Sequence, residues 1–389
     1  MDGLRKEGVN FVHFDSGDLF FKSFYPWKED RPQMRLKSTY ILKGCNELGL
    51  DVFVPGELDF TEGRDFLINK LLAKANFTVL GGNTFDGLDK TKQLFESSTV
   101  IERGGVKILV IGVCNWDYNV NKSKQKVSFK DPLKTVKSAL AQKDESIDLV
   151  VVVSHLGFEK DEKLAADVPE IDVICGGHTA HQLSKPKIVG KTLIVQAYKL
   201  GKYLGRLDLT LKKGEDKKWK NLIVPLKKEI GDDEKIASFQ TEYREKIIAL
   251  HSKPRQGKKA DRKQVFWFSR LCGHCHKEQY RFWKNTDHAK AMATLEKENA
   301  HYDYECIGCH TIGFRKQGGF RVANEMDDFK NVQCEACHGP GSDHSDDVYM
   351  TRPRQKKTCL RCHDEEHDPD FNYNIALPQV MCPKREVKE

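Results

Sequence analysis

The chain has 389 residues, of which 39% are hydrophobic, and this is enough for two or three domains with at least one sizeable core. Its 64 basic and 57 acidic residues leave a formal charge of +7, which is a mild excess in a heavily charged chain. The lysine-rich runs 212–220 and 253–263 lack interleaved aromatic residues and any nucleic-acid-binding motif. We interpret these runs as solvated turns or linkers and expect no nucleic acid as a partner.

Between residues 9 and about 230, short apolar runs alternate with amphipathic stretches. Runs rich in Val and Ile without polar alternation indicate strands that are buried on both faces, as in layered α/β folds. The predicted strands are Val9–Phe14, Phe77–Leu80, Val106–Val113, Asp148–Val153, Ile171–Cys175, Thr192–Ala197 and Arg206–Leu211, and the predicted helices are Met34–Leu48, Gly63–Ala75, Pro132–Gln142 and Glu159–Val168. Residues 1–230 are therefore predicted to form an α/β sandwich.

A change of composition divides the rest of the chain. A helix is predicted from Asp232 or Asp233 to about Leu250, because its apolar residues follow one stripe and an acidic residue can cap its start. A basic segment follows, so residues 231–264 are interpreted as a helix and a linker. From 265 to 389, Cys and His become common and long apolar runs disappear. This composition predicts a mostly helical or irregular domain packed around cofactors.

The last third of the chain repeats one five-residue motif, Cys-x-x-Cys-His, four times. This spacing is the attachment signature of c-type haem: the two thiols add to the haem vinyl groups, and the adjoining imidazole becomes an axial iron ligand. The motif residues are Cys272, Cys275 and His276; Cys306, Cys309 and His310; Cys334, Cys337 and His338; and Cys359, Cys362 and His363. The chain is predicted to carry four covalent haems.

The alternative for these motifs is zinc or a disulfide framework, since paired Cys-x-x-Cys units also build zinc ribbons. A zinc site has no need of a His directly after every second Cys. With 14 His in 389 residues, four such placements by chance have a probability on the order of one in a million. The spacing therefore favours haem.

The haem-motif region resembles the tetrahaem cytochrome c-554 family over about residues 266–375. The matching stretches are "CGHCHKEQYRFWKNTDHAKAMATL", "CIGCHTIGFRKQGGF", "VQCEACHGPGSDH" and "CLRCHDEEHDPDFNY". The resemblance implies that each haem needs a second axial ligand from elsewhere and that one haem can keep an open position. Bis-His ligation gives lower potentials than His/Met ligation, so the expectation is a low-potential electron carrier.

The same resemblance implies particular distal ligands. His288 and His344 are expected to be distal ligands, and His274 and His301 are further candidates. His251 and His367 lie in polar, charged surroundings and are expected at the surface.

The first part of the chain resembles the calcineurin-like metallophosphoesterases, specifically the 5′-nucleotidase branch, over roughly residues 9–230. The matching stretches are "HFDSGDLF", "DVFVPGELDF", "VVVSHLGFEKD" and "DVICGGHTAH". In that family two metal ions, bridged by an aspartate and held by His and Asn, activate a water molecule against a phosphate ester. The resemblance implies that Asp18 matches the bridging aspartate and that His155 and His178 match metal-binding histidines.

Several family residues are replaced in this sequence. Glu57 stands where the family has its Asn ligand, and Leu58 stands where it has its catalytic His. His181 comes one residue later than the family's last imidazole, so its side chain is expected to point elsewhere. The family's opening Asp-x-His strand is expected to lie upstream of the first residue. We therefore expect a degenerate site with weak or no binding of Mn, Zn or Fe, or a single ion held with the help of Glu57 or His181.

The leading hypothesis is an exported tetrahaem cytochrome that exchanges electrons with redox proteins or other cytochromes, with the first domain as a scaffold or docking surface. The alternatives are a haem enzyme acting on a small nitrogen or sulfur compound at an open haem, and a metal-dependent phosphohydrolase fused to a cytochrome. Covalent haem attachment takes place outside the cytoplasm, so a periplasmic or extracellular location is expected, although no signal peptide opens the sequence. No apolar run reaches the length of a membrane span.

Overall fold

The computed structural model describes residues 2–114, 126–211, 217–252, 265–321, 327–344 and 355–383. The chain divides into two compact units, Met1–Gln240 and Thr241–Glu389. The division falls inside the helix Glu234–His251. The sequence analysis predicts this helix, from Asp232 or Asp233 to about Leu250. Most of the predicted linker, residues 253–264, lies outside the described residues, as do 212–216 of the first lysine-rich run.

A six-stranded sheet dominates the first unit, in the order β10-β11-β9-β8-β6-β5. Its four central strands are parallel, and the edge strands β5 and β10 pair antiparallel with their neighbours. The strands are β5 (Ser98–Arg103), β6 (Val106–Cys114), β8 (Leu149–His155), β9 (Val173–Gly176), β10 (Lys187–Val189) and β11 (Thr192–Val195). Every residue of β8 is buried, as its unbroken apolar run predicts.

A second, parallel sheet of three short strands lies in the order β1-β2-β3: β1 (Phe14–Asp15), β2 (Val52–Phe53) and β3 (Thr78–Val79). Two further pairs are antiparallel: β4 (Thr84–Asp86) with β7 (Val127–Phe129), and β12 (Tyr203–Thr210) with β13 (Lys218–Pro225). One apolar cluster joins residues of both sheets, among them Val52, Val54, Val151 and Val153. The two sheets therefore pack face to face.

Helices cover the outer faces of both sheets. Helices Pro132–Ala141 and Phe158–Asp167 pack on the six-stranded sheet, where Val150 and Val152 of β8 point toward them. Helix Arg31–Leu48 packs on the three-stranded sheet through Leu42 and Phe53. Alternate residues of β8 thus pack against the helices on one face and against the three-stranded sheet on the other, which explains why the strand has no polar side. The predicted α/β sandwich is confirmed.

The predicted elements differ from the structure mainly in the three-stranded sheet and in the helical segment that precedes β3. Of the predicted strand Val9–Phe14, only Phe14 is in a strand, and β2 was not predicted because it has only two residues. The predicted helix Gly63–Ala75 is present as three contiguous helical segments of different type: an α-helical turn Arg64–Phe66, a π-helical turn Leu67–Leu71 and a 3₁₀ turn Leu72–Lys74. The other predicted strands and helices of this unit are present with bounds shifted by a few residues.

The second unit is built from short helices and turns. Its helices, besides the end of Glu234–His251, are Phe268–Cys275, Lys277–Lys284, Ala291–Lys297, Cys334–His338, Gln355–Cys359 and Tyr373–Val380. Its buried apolar residues include Ile247, Phe266, Met292, Leu295, Ile307, Ile312, Phe320 and Phe329. The predicted mostly helical or irregular character is confirmed. Over the described residues, no helix combines the length and apolar character that crossing a membrane requires.

Candidate functional site

All four Cys-x-x-Cys-His motifs lie in the second unit, and three of them involve helices. The first motif ends helix Phe268–Cys275, the third forms helix Cys334–His338, and the fourth begins where helix Gln355–Cys359 ends. The second motif, 306–310, lies in consecutive turns. Helical residues three apart lie on one face, so in the first and third motifs the two thiols project to the same side of the helix.

The first and third motifs are packed side by side. The backbone N–H of Cys334 donates to Oγ of Ser269 at 3.0 Å, and the thiols of Cys272 and Cys334 are hydrogen-bonded to each other. The buried carboxylate of Glu335 accepts two backbone N–H groups at 2.9 Å, from Trp267, which precedes the first motif's helix, and from Phe268, which begins it. Because this carboxylate is satisfied by the backbone, it holds the two motif helices together.

The second and fourth motifs form the other neighbouring pair. The thiol of Cys309 lies 3.8 Å from the carbonyl oxygen of Arg361 and is hydrogen-bonded to the thiol of Cys362. The hydrogen bond from Cys362 lowers the pKa of Cys309 to about 7. The thiol–thiol hydrogen bonds thus join the first motif with the third and the second with the fourth, and Arg361 of the fourth motif also donates to the carbonyl oxygen of Ala336 in the third at 2.9 Å.

Two pairs of imidazoles lie close together in this unit, with their rings inclined to each other. The ring centroids of His276 and His344 are 6.3 Å apart, and those of His288 and His363 are 6.1 Å apart. Each pair joins a motif histidine to one of the two residues that the sequence analysis selects as distal ligands. Burial and the neighbouring His363 both lower the pKa of His288, which favours its neutral, metal-binding form.

Two motif histidines have their ring orientation fixed through Nδ1. Nδ1 of His310 lies 2.6 Å from the carbonyl oxygen of Ala291, and Nδ1 of His363 lies 2.7 Å from Oδ2 of Asp368. When Nδ1 donates to these oxygens, Nε2 is left without a proton and can bind iron. These supporting partners were missed from sequence because they belong to no motif.

The remaining histidines of this unit have other environments. His274 is exposed, and His301 is half-buried with its ring 4.5 Å from that of Tyr302. His367 is exposed and paired with Asp364 at 2.8 Å, so its predicted surface position is confirmed. The predicted surface position of His251 is wrong: this residue is buried, because its ring stacks on that of Tyr304 at 3.8 Å.

The first unit brings four possible metal ligands together at the carboxyl ends of its strands. Asp18 follows β1, Glu57 follows β2, His155 ends β8 and His178 follows β9. One ligand atom from each of these four residues lies within 4.8 Å of the other three. The structure thus groups the three residues implied by the resemblance and adds Glu57, which occupies the position of the family's Asn.

Close packing of two loops makes this cluster. A Cβ atom on Gly56 would lie 2.3 Å from Oδ1 of Asp18, and one on Gly17 would lie 2.6 Å from Nδ1 of His155. Buried Asp59 accepts the backbone N–H groups of Asp18 and Gly56, both at 2.8 Å. Burial, with the nearby Asp18 carboxylate, raises the pKa of Asp59 to about 8. Glycine and a buried acid therefore fix both carboxylate-bearing loops.

The distances within the cluster are short. Nε2 of His155 lies 3.0 Å from Oε2 of Glu57 and 3.3 Å from Oδ2 of Asp18, and Nδ1 of His178 lies 3.0 Å from Oε1 of Glu57. Burial acts to lower the pKa of His155, but the two carboxylates raise it well above its usual value. Burial acts to raise the pKa of Glu57, but the two imidazoles hold it well below its usual range.

Two departures from the family pattern have visible consequences. His181 stacks on Phe158 with ring centroids 4.7 Å apart, so its imidazole is directed away from the cluster, as predicted. Leu58 contributes only its backbone N–H, which donates to Oδ1 of Asp18 at 2.8 Å. A leucine side chain can neither bind a metal nor donate a proton, so the family's catalytic imidazole has no counterpart at this position.

Comparison with known proteins finds different relatives for the two units of the chain. The family profile "Cytochrome c554 and c-prime" matches residues 271–339. Cytochrome c-554 of Nitrosomonas europaea is 39% identical over 85 residues, which are 18% of this chain and 36% of that protein. The second unit is therefore similar to a class of c-type cytochromes, and the cytochrome family implies covalent haem c.

The first unit is similar to phosphoesterases. A 5′-nucleotidase of Vibrio cholerae is 30% identical over 207 residues, which are 44% of this chain and 37% of that protein. The structure of the sulfate thiohydrolase SoxB from Thermus thermophilus shares the fold, with a TM-score of 0.56 and 24% identity over 69% of this chain and 46% of that one. The chain spans 37 to 46% of the length of the first curated 5′-nucleotidases that it matches.

The fold and the comparisons together define a two-part protein: a metallophosphoesterase-like α/β unit followed by a c-type cytochrome-like unit. More particularly, the first part has 5′-nucleotidase homologues and the second part matches the cytochrome c554 family.

Proposed function

We propose that this protein is an exported tetrahaem c-type cytochrome that transfers electrons between redox proteins, with its first unit as a scaffold or docking surface. Four complete haem-attachment motifs support the haem number, and the cytochrome c554 match supports the chemistry. Covalent haem attachment takes place outside the cytoplasm, which supports a periplasmic or extracellular location.

The observation that carries the proposal is the spacing of the two imidazole pairs. Two imidazoles that bind one metal ion from opposite sides, with metal–nitrogen distances of about 2.0 Å, have ring centroids about 6 Å apart. The pairs His276/His344 and His288/His363 are 6.3 and 6.1 Å apart. We assign them as the axial ligands of the first and fourth haems, with low potentials because neither pair includes a thioether.

The test uses the matured, haem-loaded protein and the variants His344→Ala and His288→Ala. Each is expected to keep all four haems and to convert one of them from low-spin to high-spin, as seen in the oxidised absorption and electron paramagnetic resonance spectra. His367→Ala is the matched control, because that imidazole is exposed and paired with Asp364. A wild-type chain without haem, unchanged spectra in both variants, or no electron exchange with soluble redox proteins would each contradict the proposal.

Metal-dependent phosphohydrolysis is the second candidate function, favoured by the cluster of Asp18, Glu57, His155 and His178. Against it stands Leu58 in place of the family's catalytic His. The decisive assay is hydrolysis of nucleoside monophosphates and p-nitrophenyl phosphate with added Mn²⁺, by wild type and by Asp18→Asn. Activity that disappears in the variant would establish hydrolysis, whereas equal background rates in both proteins would exclude it.

A further inference from the structure

We propose that one face of helix Lys277–Lys284 is the docking surface for an acidic electron-transfer protein. The inference rests on the proposed function, because it names the kind of partner that exchanges electrons with the haems. The face consists of Lys277, Arg281 and Lys284, three cationic residues that are all exposed. These three residues are called the basic stripe below.

The basic stripe runs along one side of the helix. Its members stand at positions i, i+4 and i+7. Because an α-helix turns by about 100° per residue, the three side chains leave the helix within about 60° of one another. The exposed Glu278 leaves it about 100° away from Lys277, so this acid lies beside the stripe and not within it.

Stabilisation of the helix does not account for the stripe. Like charges at this spacing repel one another. The helix dipole favours Arg281 and Lys284 in the last turn, but it disfavours a cation at Lys277, the first residue. Among the described residues none of the three cations forms an ion pair, and Nζ of Lys284 lies 5.2 Å from the ring centroid of Tyr280. The charge of the stripe is therefore available to another molecule.

The opposite side of the helix is anchored. The ring of Tyr280 packs on Gly273 of the preceding helix, where an added Cβ atom would lie 2.8 Å from the ring. Nε1 of Trp283 donates to the carbonyl oxygen of Val332 at 2.9 Å. Since the helix is already held in place, a partner that binds the stripe has little of it to order on binding.

The stripe begins beside the first haem motif. Lys277 directly follows His276, the predicted iron ligand of that motif, and a helix of eight residues is about 12 Å long. A protein that binds the stripe therefore contacts the chain within one helix length of this ligand. Transient redox complexes bury less than about 1,200 Å² in total, so three charges over this length form a substantial part of such an interface.

The sign of the charges selects the partner. Cationic side chains attract an acidic patch, and complementary charge speeds association and fixes the orientation of the complex. Single-stranded nucleic acid fits less well, because it needs aromatic rings beside the cations on which bases can stack. The rings of Tyr280 and Trp283 are half-buried on the anchored side and stack on each other, with centroids 5.7 Å apart. An acidic redox protein is therefore the expected partner.

The experiment measures second-order rates of electron exchange by stopped flow, with the full, haem-loaded protein. The probe is reduced plant-type [2Fe–2S] ferredoxin, which is an acidic protein of low potential. The rate is expected to fall at least tenfold as NaCl is raised from about 10 to about 300 mM, because salt screens the attraction.

Charge reversal tests the stripe itself. The triple variant Lys277→Glu, Arg281→Glu, Lys284→Glu is expected to slow the ferredoxin reaction at least fivefold at about 100 mM NaCl. After reduction, the same variant is expected to react faster than wild type with mitochondrial cytochrome c, which is a basic protein. Misfolding cannot produce this gain, and absorption spectra report the haem content.

A charge-matched control separates the stripe from the net charge. The triple variant Lys134→Glu, Lys137→Glu, Lys163→Glu reverses three exposed lysines of the first unit, none of which forms an ion pair among the described residues. It is expected to keep the ferredoxin rate within about twofold of wild type, because the screening length at 100 mM salt is only about 10 Å. The neutral semiquinone of riboflavin is expected to reduce all three proteins at the same rate.

Three results would overturn the proposal. They are an unchanged ferredoxin rate in the stripe variant, equal slowing in the control variant, or a shifted potential of the first haem together with slower reduction by riboflavin. The last result would assign the cations to the propionates of the haem itself. A wild-type chain that exchanges electrons with neither protein probe would instead contradict the proposed function.

Discussion

The imidazole of His363 is held by a carboxylate, since its Nδ1 lies 2.7 Å from Oδ2 of Asp368. A carboxylate acceptor makes a metal-bound imidazole more electron-rich and favours ferric iron. Asp368→Asn is therefore expected to raise the potential of the fourth haem by about 60 mV, which corresponds to a tenfold change in the equilibrium. Spectroelectrochemical titration measures this shift. The exposed Asp370→Asn is the control, and equal potentials in both variants would contradict the assigned hydrogen bond.

Asp161 makes a second residue-scale prediction, on pH dependence. It is buried beneath β8 and accepts the hydroxyl of Ser154 at 2.5 Å, and burial raises its pKa to about 7. In the unfolded chain its pKa is about 3.9. Between about pH 4 and pH 7 the folded state therefore holds a proton that the unfolded state has lost, so this residue's contribution to stability falls as pH rises.

Asp161→Asn is expected to flatten that decline, because the amide cannot ionise. The variant's melting temperature relative to wild type is expected to rise from pH 5 to pH 8, as followed by circular dichroism. A constant difference between the two proteins across that range would show that Asp161 is already ionised at pH 5.

At the residue scale, local spacing predicts chemistry only where a single segment supplies it. The haem-attachment motifs can be recognised from the sequence because both thiols and the imidazole lie within five residues. Glu57 is different: its role depends on His155 and His178, about 100 residues away, and sequence shows only that a carboxylate has replaced an amide. The pairing of His276 with His344 depends in the same way on how Glu335 joins two helices.

The loops that follow β1 and β2 depend on glycine for their close approach. A methyl group at Gly56 would lie 2.3 Å from Oδ1 of Asp18, so Gly56→Ala is expected to lower stability by about 1–3 kcal/mol. In contrast, Gly44 lies inside helix Arg31–Leu48 with no atom near the added Cβ. Gly44→Ala is expected to raise stability by about 0.5–1 kcal/mol. Urea denaturation of the pair measures both effects, and a neutral Gly56→Ala would contradict the packing.

Element prediction succeeds where burial is continuous along a segment. The run Leu149–Val153 is apolar on both faces and can bury them only between two layers, so the sequence predicts its strand. The strands β1 and β2 have two residues each, too few for any periodicity, although the loops that follow them carry two of the four cluster residues, Asp18 and Glu57. The segment 64–74 keeps helical spacing between buried Leu67 and Leu71 and is helical throughout, but it changes from α-helix to π-helix to 3₁₀ helix, which the spacing does not predict.

At the scale of the whole molecule, each compact unit has its own apolar core. Ile174 of β9 is fully buried in the core of the first unit, and Phe320 is 1% exposed in the second. Truncation of a buried Ile or Phe to Ala costs about 2–5 kcal/mol. In a unit of this size, each kcal/mol lowers the melting temperature by about 2–4 °C.

Separate cores predict separate unfolding transitions in the haem-loaded protein. Ile174→Ala is expected to lower a transition followed by far-UV circular dichroism by about 10 °C and to leave the Soret-detected transition in place. Phe320→Ala is expected to do the reverse, because the Soret band reports only on the unit that carries the haem motifs. Both transitions are recorded on the same heated sample. If either variant shifts the two signals together, the chain unfolds as one cooperative body and its two cores are not independent.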